Sequence, residues 1–255
     1  MKIFLKRTLE VLGAAALMSV LLVGTASASV IGYRSGVGGF GGLGGGSGFD
    51  ALFAAAGDTV ALTDFNSASA VSSATGLWMN GGTNVLNGTE QSNLLSFLNS
   101  GGRAVYVTDR SDSGPWSVST ASILGLFGAA DIHTGGDNGT YATIGSNALV
   151  AGVTNIKFNT WSAVDPTKAS PTLLTANGMA AVYNVGLGQL LFIGDTNWQN
   201  GSIGADGTSG ADDAAFANNI VSWLGTERTA VPEPGSIALF GVALAGLVFV
   251  RRRKV

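Results

Sequence analysis

The chain of 255 residues contains no cysteine and a single histidine, His133. The first absence excludes disulfides, a thiolate-bound metal, a nucleophilic cysteine and a lipid-modified N-terminal cysteine. The second leaves one imidazole for any acid–base role. Charge is scarce as well, at 11% of residues. Of the 13 Lys and Arg, only Arg34, Arg103, Arg110, Lys157, Lys168 and Arg228 lie between residues 29 and 230, whereas all 16 acids except Glu10 and Glu233 do. With fourteen acids against six bases, that stretch carries a net charge near −8. Nucleic acids and anionic lipids are bound through clustered Lys and Arg, so nucleic acid is excluded as a partner.

What the chain has in abundance is glycine, 39 residues, with many Ser, Thr, Asn and Ala. This is the composition of surface-exposed bacterial proteins. About 200 residues between the two ends suffice for one packed domain, large enough to hold together without disulfides.

The ends carry different chemistry. Lys2, Lys6 and Arg7 precede the apolar run Val11–Val23, and Ala26-Ser27-Ala28 follows it. A charged segment, a greasy segment and small residues in that order make a secretory signal peptide over 1–28, with cleavage by signal peptidase expected after Ala28. At the other end, Val231-Pro232-Glu233-Pro234-Gly235 leads into Ser236–Val250, which is free of charge, and then into Arg251-Arg252-Arg253-Lys254-Val255. As a helix, 236–250 would span roughly 22 Å, short of the ~30 Å hydrocarbon layer, and it would fit by bilayer thinning and snorkelling of its arginines. The cationic end stays in the cytoplasm, and the prolines stop the helix from growing backwards.

This arrangement over 231–255 resembles the PEP-CTERM family of exported bacterial proteins, whose tails are recognised and cut by an exosortase. The resemblance implies that Pro232, Glu233, Pro234, Arg251, Arg252 and Arg253 form the sorting motif. It also implies an inner-membrane stage with the domain facing the periplasm, then a place at the cell surface or outside the cell. Because the family co-occurs with exopolysaccharide production, exopolysaccharide becomes a candidate partner. The alternative is an ordinary C-terminal anchor that is never cut.

Between the ends, apolar runs alternate between strand and helix periods. Strands are expected at Ser29–Tyr33, Asp58–Phe65, Gly76–Met79 and Arg103–Thr108, with helices at Phe49–Ala56, after Asn87 and at Val118–Phe127. Asn87-Gly88-Thr89-Glu90 reads as a capping box, and Gly101-Gly102 as the helix end. The second half is richer in strands: Val153–Phe158, Thr172–Thr175, Ala180–Asn184 and Gln189–Ile193, the last two joined by a hairpin with glycines at both turn positions. A final helix is expected over Asp212–Leu224, with Phe216, Ile220, Val221 and Leu224 inward. The alternation specifies an α/β domain over 29–225 with a largely parallel sheet, followed by a linker at 226–230.

The run LLSFLNSGGRAVYVTD (94–109) is similar to the helix, turn and strand of class I glutamine amidotransferase-like domains. Ile123–Gly128, Gly186–Asp195 and Asn218–Leu224 resemble their non-catalytic members. The resemblance implies a flavodoxin-like fold, a mainly parallel sheet flanked by helices, in a binding or structural role. Catalytic members use a cysteine on a sharp turn, and the loop after the Arg103–Thr108 strand, Asp109-Arg110-Ser111-Asp112-Ser113-Gly114, has none.

The remaining candidates are weighed one by one. Ser111 with His133 and a loop carboxylate could form a hydrolase triad, but no G-x-S-x-G elbow is present, and a polar loop holding one histidine is the simpler account. The competing function is thus an exported serine hydrolase or glycan-active enzyme. Gly36–Gly41 fits G-x-G-x-x-G, yet a glycine-rich tract produces such matches freely, and it reads as a loop. No cofactor is expected. Asp195, Asp206 and Asp212 could supply oxygen ligands to Ca²⁺, although the D-x-[DN]-x-[DN]-G pattern is missing and no metal is the default. Trp78 and Trp223 sit in apolar patterns and read as core. Trp116 and Trp198 fall in loops after strands and are the candidates for stacking on a glycan.

Overall fold

A computed structural model of the chain describes residues 28–34, 43, 48–82, 85–109, 114–132, 139–158, 162–196, 198 and 212–226. The first half alternates strand and helix: β1 (Val30–Tyr33), α1 (Gly48–Ala55), β2 (Thr59–Leu62), α2 (Ala68–Ser73), β3 (Gly76–Asn80), α3 (Gly88–Asn99), β4 (Arg103–Val107) and α4 (Gly114–Leu124). A 3-10 turn over Gly125–Phe127 extends α4, and Gly128 closes it at φ 74. Four short strands follow: β5 (Asp131–Ile132), β6 (Gly139–Ala142), β7 (Asn155–Phe158) and β8 (Ala163–Val164). Then come β9 (Thr172–Leu173), the hairpin of β10 (Ala180–Val185) and β11 (Gly188–Ile193), and α5 (Asp213–Gly225).

Seven strands form the main sheet in the order β2-β1-β3-β4-β11-β10-β9. The first five are parallel, and β10 and β9 add an antiparallel edge. Numbered by themselves, the parallel strands run 2-1-3-4-5, one of the two common orders of doubly wound sheets. Two small antiparallel pairs, β5 with β8 and β6 with β7, lie outside this sheet.

Strand side chains alternate between two cores, which is why both faces must be covered by helices. Trp78, Val105, Val107, Val182, Leu191 and Ile193 face α1 and α5, where they meet Phe49, Phe53, Phe216, Ile220 and Leu224. Leu77, Met79, Ala104, Tyr106, Leu190 and Phe192 face the other way, towards Val71, Leu94, Phe97, Leu98 and Ile123 on α2, α3 and α4. The helix α2 was not expected. Its ASAVSS sequence offers one buried apolar residue, Val71, and its start is fixed by the Ser67 hydroxyl accepting from the Ala70 N–H. The strand expected over Asp58–Phe65 is paired only at Thr59–Leu62.

Local rules account for the helix ends. The Asn87 side-chain oxygen accepts from the Thr89 and Glu90 N–H groups at 2.9 and 3.1 Å, and Glu90 Oε2 accepts from the Asn87 N–H at 2.9 Å, the reciprocal capping box. At α5 the acids do something else. Asp212 makes no side-chain cap. Its carboxylate accepts from the Thr154 hydroxyl and from the Thr154 N–H at 2.7 Å, while Asp213 Oδ1 accepts from the Lys157 N–H at 3.0 Å. The two acids thereby fasten β7 to the start of α5, and the Thr154 hydrogen bonds hold Asp212 below the ordinary carboxylate range.

The hairpin has a two-residue turn, with Val185 opposite Gly188. Only Gly186, at φ 61, needs the left-handed region. Gly188 is the first residue of β11, not a turn residue, and it is glycine for lack of space: a Cβ there would overlap the carbonyl oxygens of Gly102 and Leu98. Gly88→Ala, by contrast, meets nothing within 4 Å. Gly188→Ala should therefore cost at least about 2 kcal/mol in urea unfolding, whereas Gly88→Ala should be neutral or stabilising.

Candidate functional site

Parallel strands release their chains on one side of the sheet, and doubly wound folds place ligands along that rim, where the strand order reverses. Here the rim is formed by Arg34 after β1, Thr63–Phe65 after β2, Asn80 and Gly81 at β3, Thr108 and Asp109 after β4, and Gly194–Thr196 after β11. The reversal lies between β1 and β3.

At the β4–β11 end of the rim sits a buried polar knot. Thr196 Oγ1 donates to Asp109 Oδ2 at 2.7 Å, and Ser162 Oγ donates to the Asp109 carbonyl at 2.7 Å. The Ser162 N–H donates to the Gly194 carbonyl at 2.9 Å. A Cβ on Gly194 would run into the Ser162 backbone, so the close approach requires glycine. Thr108 Oγ1 lies 2.7 Å from Thr120 Oγ1, which in turn lies 3.2 Å from the Tyr106 hydroxyl. Asp195 is fully buried beside this knot. Each side chain in it is short and engaged, so the knot locks the loops after β4 and β11.

The β1–β2 end is different. Arg34 grips Glu90 with two hydrogen bonds, Nε to Oε1 at 2.9 Å and Nη2 to Oε2 at 3.0 Å. Glu90 is only 6% exposed, a carboxylate that caps α3 with one oxygen and binds a guanidinium with both. Burial raises its pKa, but the Arg34 hydrogen bond, the Asn87 amide and the Arg34 charge outweigh that and hold it below the ordinary carboxylate range. Arg34, Leu62, Thr63, Asp64, Phe65 and Glu90 line a cavity of about 390 Å³. The sequence had marked Glu90 only as a cap. Nothing local signalled that Arg34, 56 residues earlier, would complete the pair.

The residues singled out from sequence distribute as follows. Ser111, His133 and Asp206 lie outside the described residues, as do Pro232, Glu233, Pro234, Arg251, Arg252 and Arg253. Ala28 is exposed, separated from β1 by Ser29. Asp195 is buried at the rim and Asp212 is engaged by Thr154. Among the described residues no group of three or more His, Cys, Asp or Glu is placed to hold a metal. Trp116 is half-buried in the first turn of α4. Trp198 has to be corrected. It is 3% exposed, with its ring 5.4 Å from Phe49 and 5.2 Å from Phe216, so it fills the core beneath the rim and offers no face to a sugar. Trp78 is core as expected, and its Nε1 donates to Asn80 Oδ1 at 3.0 Å.

The Arg34–Glu90 pair has a pH signature. A carboxyl whose folded pKa lies below its unfolded value of about 4.3 stabilises the fold fully above that value, and this stabilisation is lost as pH falls through the folded pKa. Glu90→Gln should cost about 1–3 kcal/mol near neutral pH, since it leaves a half-buried guanidinium without its partner charge. Urea unfolding followed between pH 7 and pH 3 should show the wild-type advantage over the variant shrinking towards the acid end.

Against known proteins, the described domain finds its likeness in fold. It is similar to the N-terminal domain of mmIFT52 (11% identity, TM-score 0.57, 78% of this chain and 98% of that one). A cytoplasmic protein from Salmonella typhimurium LT2, STM1381, matches at 7% identity and a TM-score of 0.57, over 78% of this chain and 100% of its own. A thua-like protein from Bacteroides uniformis ATCC 8492 matches at 10% identity with a TM-score of 0.49, over 82% of this chain and 96% of that one. No curated protein matches the sequence. Among the described residues no helix is long and apolar enough to cross a membrane, and the segment 236–250 lies outside them. The expected α/β architecture with a mainly parallel sheet is the one found. The tail is assigned by its own match: residues 230–254 correspond to the PEP-CTERM protein-sorting motif, and this chain carries that motif at its C-terminus.

Proposed function

We propose that the protein is exported with loss of its leader after Ala28, is held in the inner membrane by helix 236–250, and is handed by exosortase to the cell surface or the extracellular matrix. Its domain is a non-catalytic, flavodoxin-like relative of the class I amidotransferases that binds or builds rather than reacts. The observation that carries the export half is the PEP-CTERM match over 230–254. The parallel strand order 2-1-3-4-5 supports the fold assignment.

The non-catalytic half is supported by how the rim is occupied. Reaction centres at strand ends keep a nucleophile and a base aimed at open space. Among the described residues, polar groups that the strands deliver are tied to one another: Asp109 to Thr196, Thr108 to Thr120, Arg34 to Glu90. No cysteine exists to serve as the superfamily's nucleophile. Exopolysaccharide is the partner this reading names, and Trp116, half-buried on α4, is the remaining aromatic candidate for contact.

Mass spectrometry of envelope fractions tests the sorting. A new C-terminus near Pro232–Gly235 is the expected result, and an intact Val255 on all the protein would leave a permanent anchor instead. For the domain, Trp116→Ala should weaken retention on exopolysaccharide by about fivefold, the worth of one stacking contact. An esterase or glycosidase activity that disappears in Ser111→Ala or His133→Ala would replace this reading with the hydrolase.

A further inference from the structure

The two ends of the folded domain meet. Ser29, directly after the expected leader cleavage site, is 8% exposed. Its hydroxyl donates to the carbonyl of Gly225, the last residue of α5, at 2.7 Å across 196 positions. Its own carbonyl accepts from the Thr59 N–H at 2.8 Å, extending the β1–β2 ladder by one residue. Asp58 completes the corner: Ser29 is the polar neighbour of its carboxylate, through backbone and side chain, and opposes the burial that raises the pKa of that carboxyl. A methyl group added to Gly225 would lie within 2.9 Å of Asp58 Oδ2, which places that carboxylate against the end of α5 as well. None of these contacts involves Ala28, so they persist when the chain is cut before Ser29.

Cutting changes the chemistry of the nitrogen that faces Asp58. Hydrolysis adds one water across the Ala28–Ser29 bond. The leader departs with the Ala28 carboxylate, and the Ser29 nitrogen, an uncharged amide before, becomes –NH₃⁺ below its ordinary pKa of about 7.7–8.0. We propose that leader removal creates an ion pair between the Ser29 α-ammonium and the Asp58 carboxylate, so that processing itself fastens the start of β1 to the end of α5. The inference rests on the cleavage after Ala28 proposed above. Two further features favour the pair. In the uncut chain burial pushes Asp58 up, against the pull of the Ser29 hydrogen bonds, so its carboxylate is short of a cation. The carbonyl end of α5 adds the negative pole of a thirteen-residue helix beside the same nitrogen. Arg103, at the start of β4, is engaged elsewhere, its Nη1 donating to the Trp223 carbonyl at 2.6 Å.

The test uses the full chain, exported and purified from membranes in detergent. N-terminal mass spectrometry comes first. A terminus other than Ser29 refutes the cleavage reading and the ion pair with it. With Ser29 established, the α-amine is acetylated selectively near pH 6.5, where lysines are protonated. Acetylation restores an uncharged amide at that nitrogen, the state in which the fold is seen before cutting, so folding is not at risk. Asp58→Asn keeps an oxygen acceptor for Ser29 and removes the charge.

Acetylation should lower the Tm of the wild-type protein by roughly 2–4 °C and leave that of Asp58→Asn unchanged. The α-ammonium should titrate about one pH unit above its ordinary value in the wild type, and return to that value in Asp58→Asn. The stabilisation is then present from above the pH range in which Asp58 protonates up to about pH 7.7, and it is lost as pH rises through the raised pKa of the amine. Equal Tm shifts in both proteins, or none in the wild type, overturn the ion pair while leaving the export reading intact.

Discussion

The architecture depends on the parallel pairing of β4 with β11, Arg103–Val107 against Gln189–Ile193. Some eighty residues separate the two strands, so closing them together costs loop entropy that only a well-packed centre can offset. The pairing obtains that packing by lying in the middle of the sheet with both faces covered. Val105, Val107, Leu191 and Ile193 enter one core, and Ala104, Tyr106, Leu190 and Phe192 enter the other. At roughly 1.5–3 kcal/mol for each large apolar side chain fully buried, this ribbon contributes more burial than any local contact along the chain. Its ends are then held by close approach. Gly188 lies against the carbonyls of Gly102 and Leu98, and Gly194 against the backbone of Ser162.

The polar rim follows from that pairing. Asp109 and Thr196 are 87 residues apart, and they meet because Val107 is in register with Ile193. Ser162, delivered by the excursion between α4 and β9, closes the knot over both loops. Buried hydrogen bonds among short side chains are worth making only when all partners arrive together, since a missing partner leaves a desolvated group. The rim is thus a device that fixes loop geometry.

How much of this was legible in the sequence follows the range of the interaction. The strands β3, β4, β10 and β11 are mostly apolar runs buried on both faces along most of their length, and β1 buries its centre, so they announce themselves. The capping box at Asn87 and Glu90 is readable because all its atoms lie within four residues. By contrast, α2 carries too little apolar pattern in six residues, and β5 and β8 have only two residues each, so no period exists to read. Trp198 was misplaced for a related reason. Its neighbours Asn197, Gln199 and Asn200 are polar and read as a loop, whereas its burial is supplied by Phe49 and Phe216 from distant helices. Sheet order, the Arg34–Glu90 grip and the Asp109–Thr196 contact are all long-range facts, invisible to any window along the chain. The sorting tail is the opposite case, legible because its physics is one-dimensional: an apolar length, a basic stop and a proline break.

The fold also separates its attachments from its rim. Ala28 and Thr226, the first and last described residues, flank Ser29 and Gly225, which are bonded to each other at the amino ends of the parallel strands. Arg34, Asn80, Asp109 and Asp195 stand at the carboxyl ends. A doubly wound sheet enforces this polarity, because every parallel strand enters from one side and leaves on the other. Both ends of the described domain therefore lie on one side of the sheet, and the cavity and half-buried Arg34 lie on the other. The contacts at Ser29 and Gly225 and the hydrogen bonds of the rim are thus separated by the length of the parallel strands, so a change of charge at one set leaves the partners of the other in place.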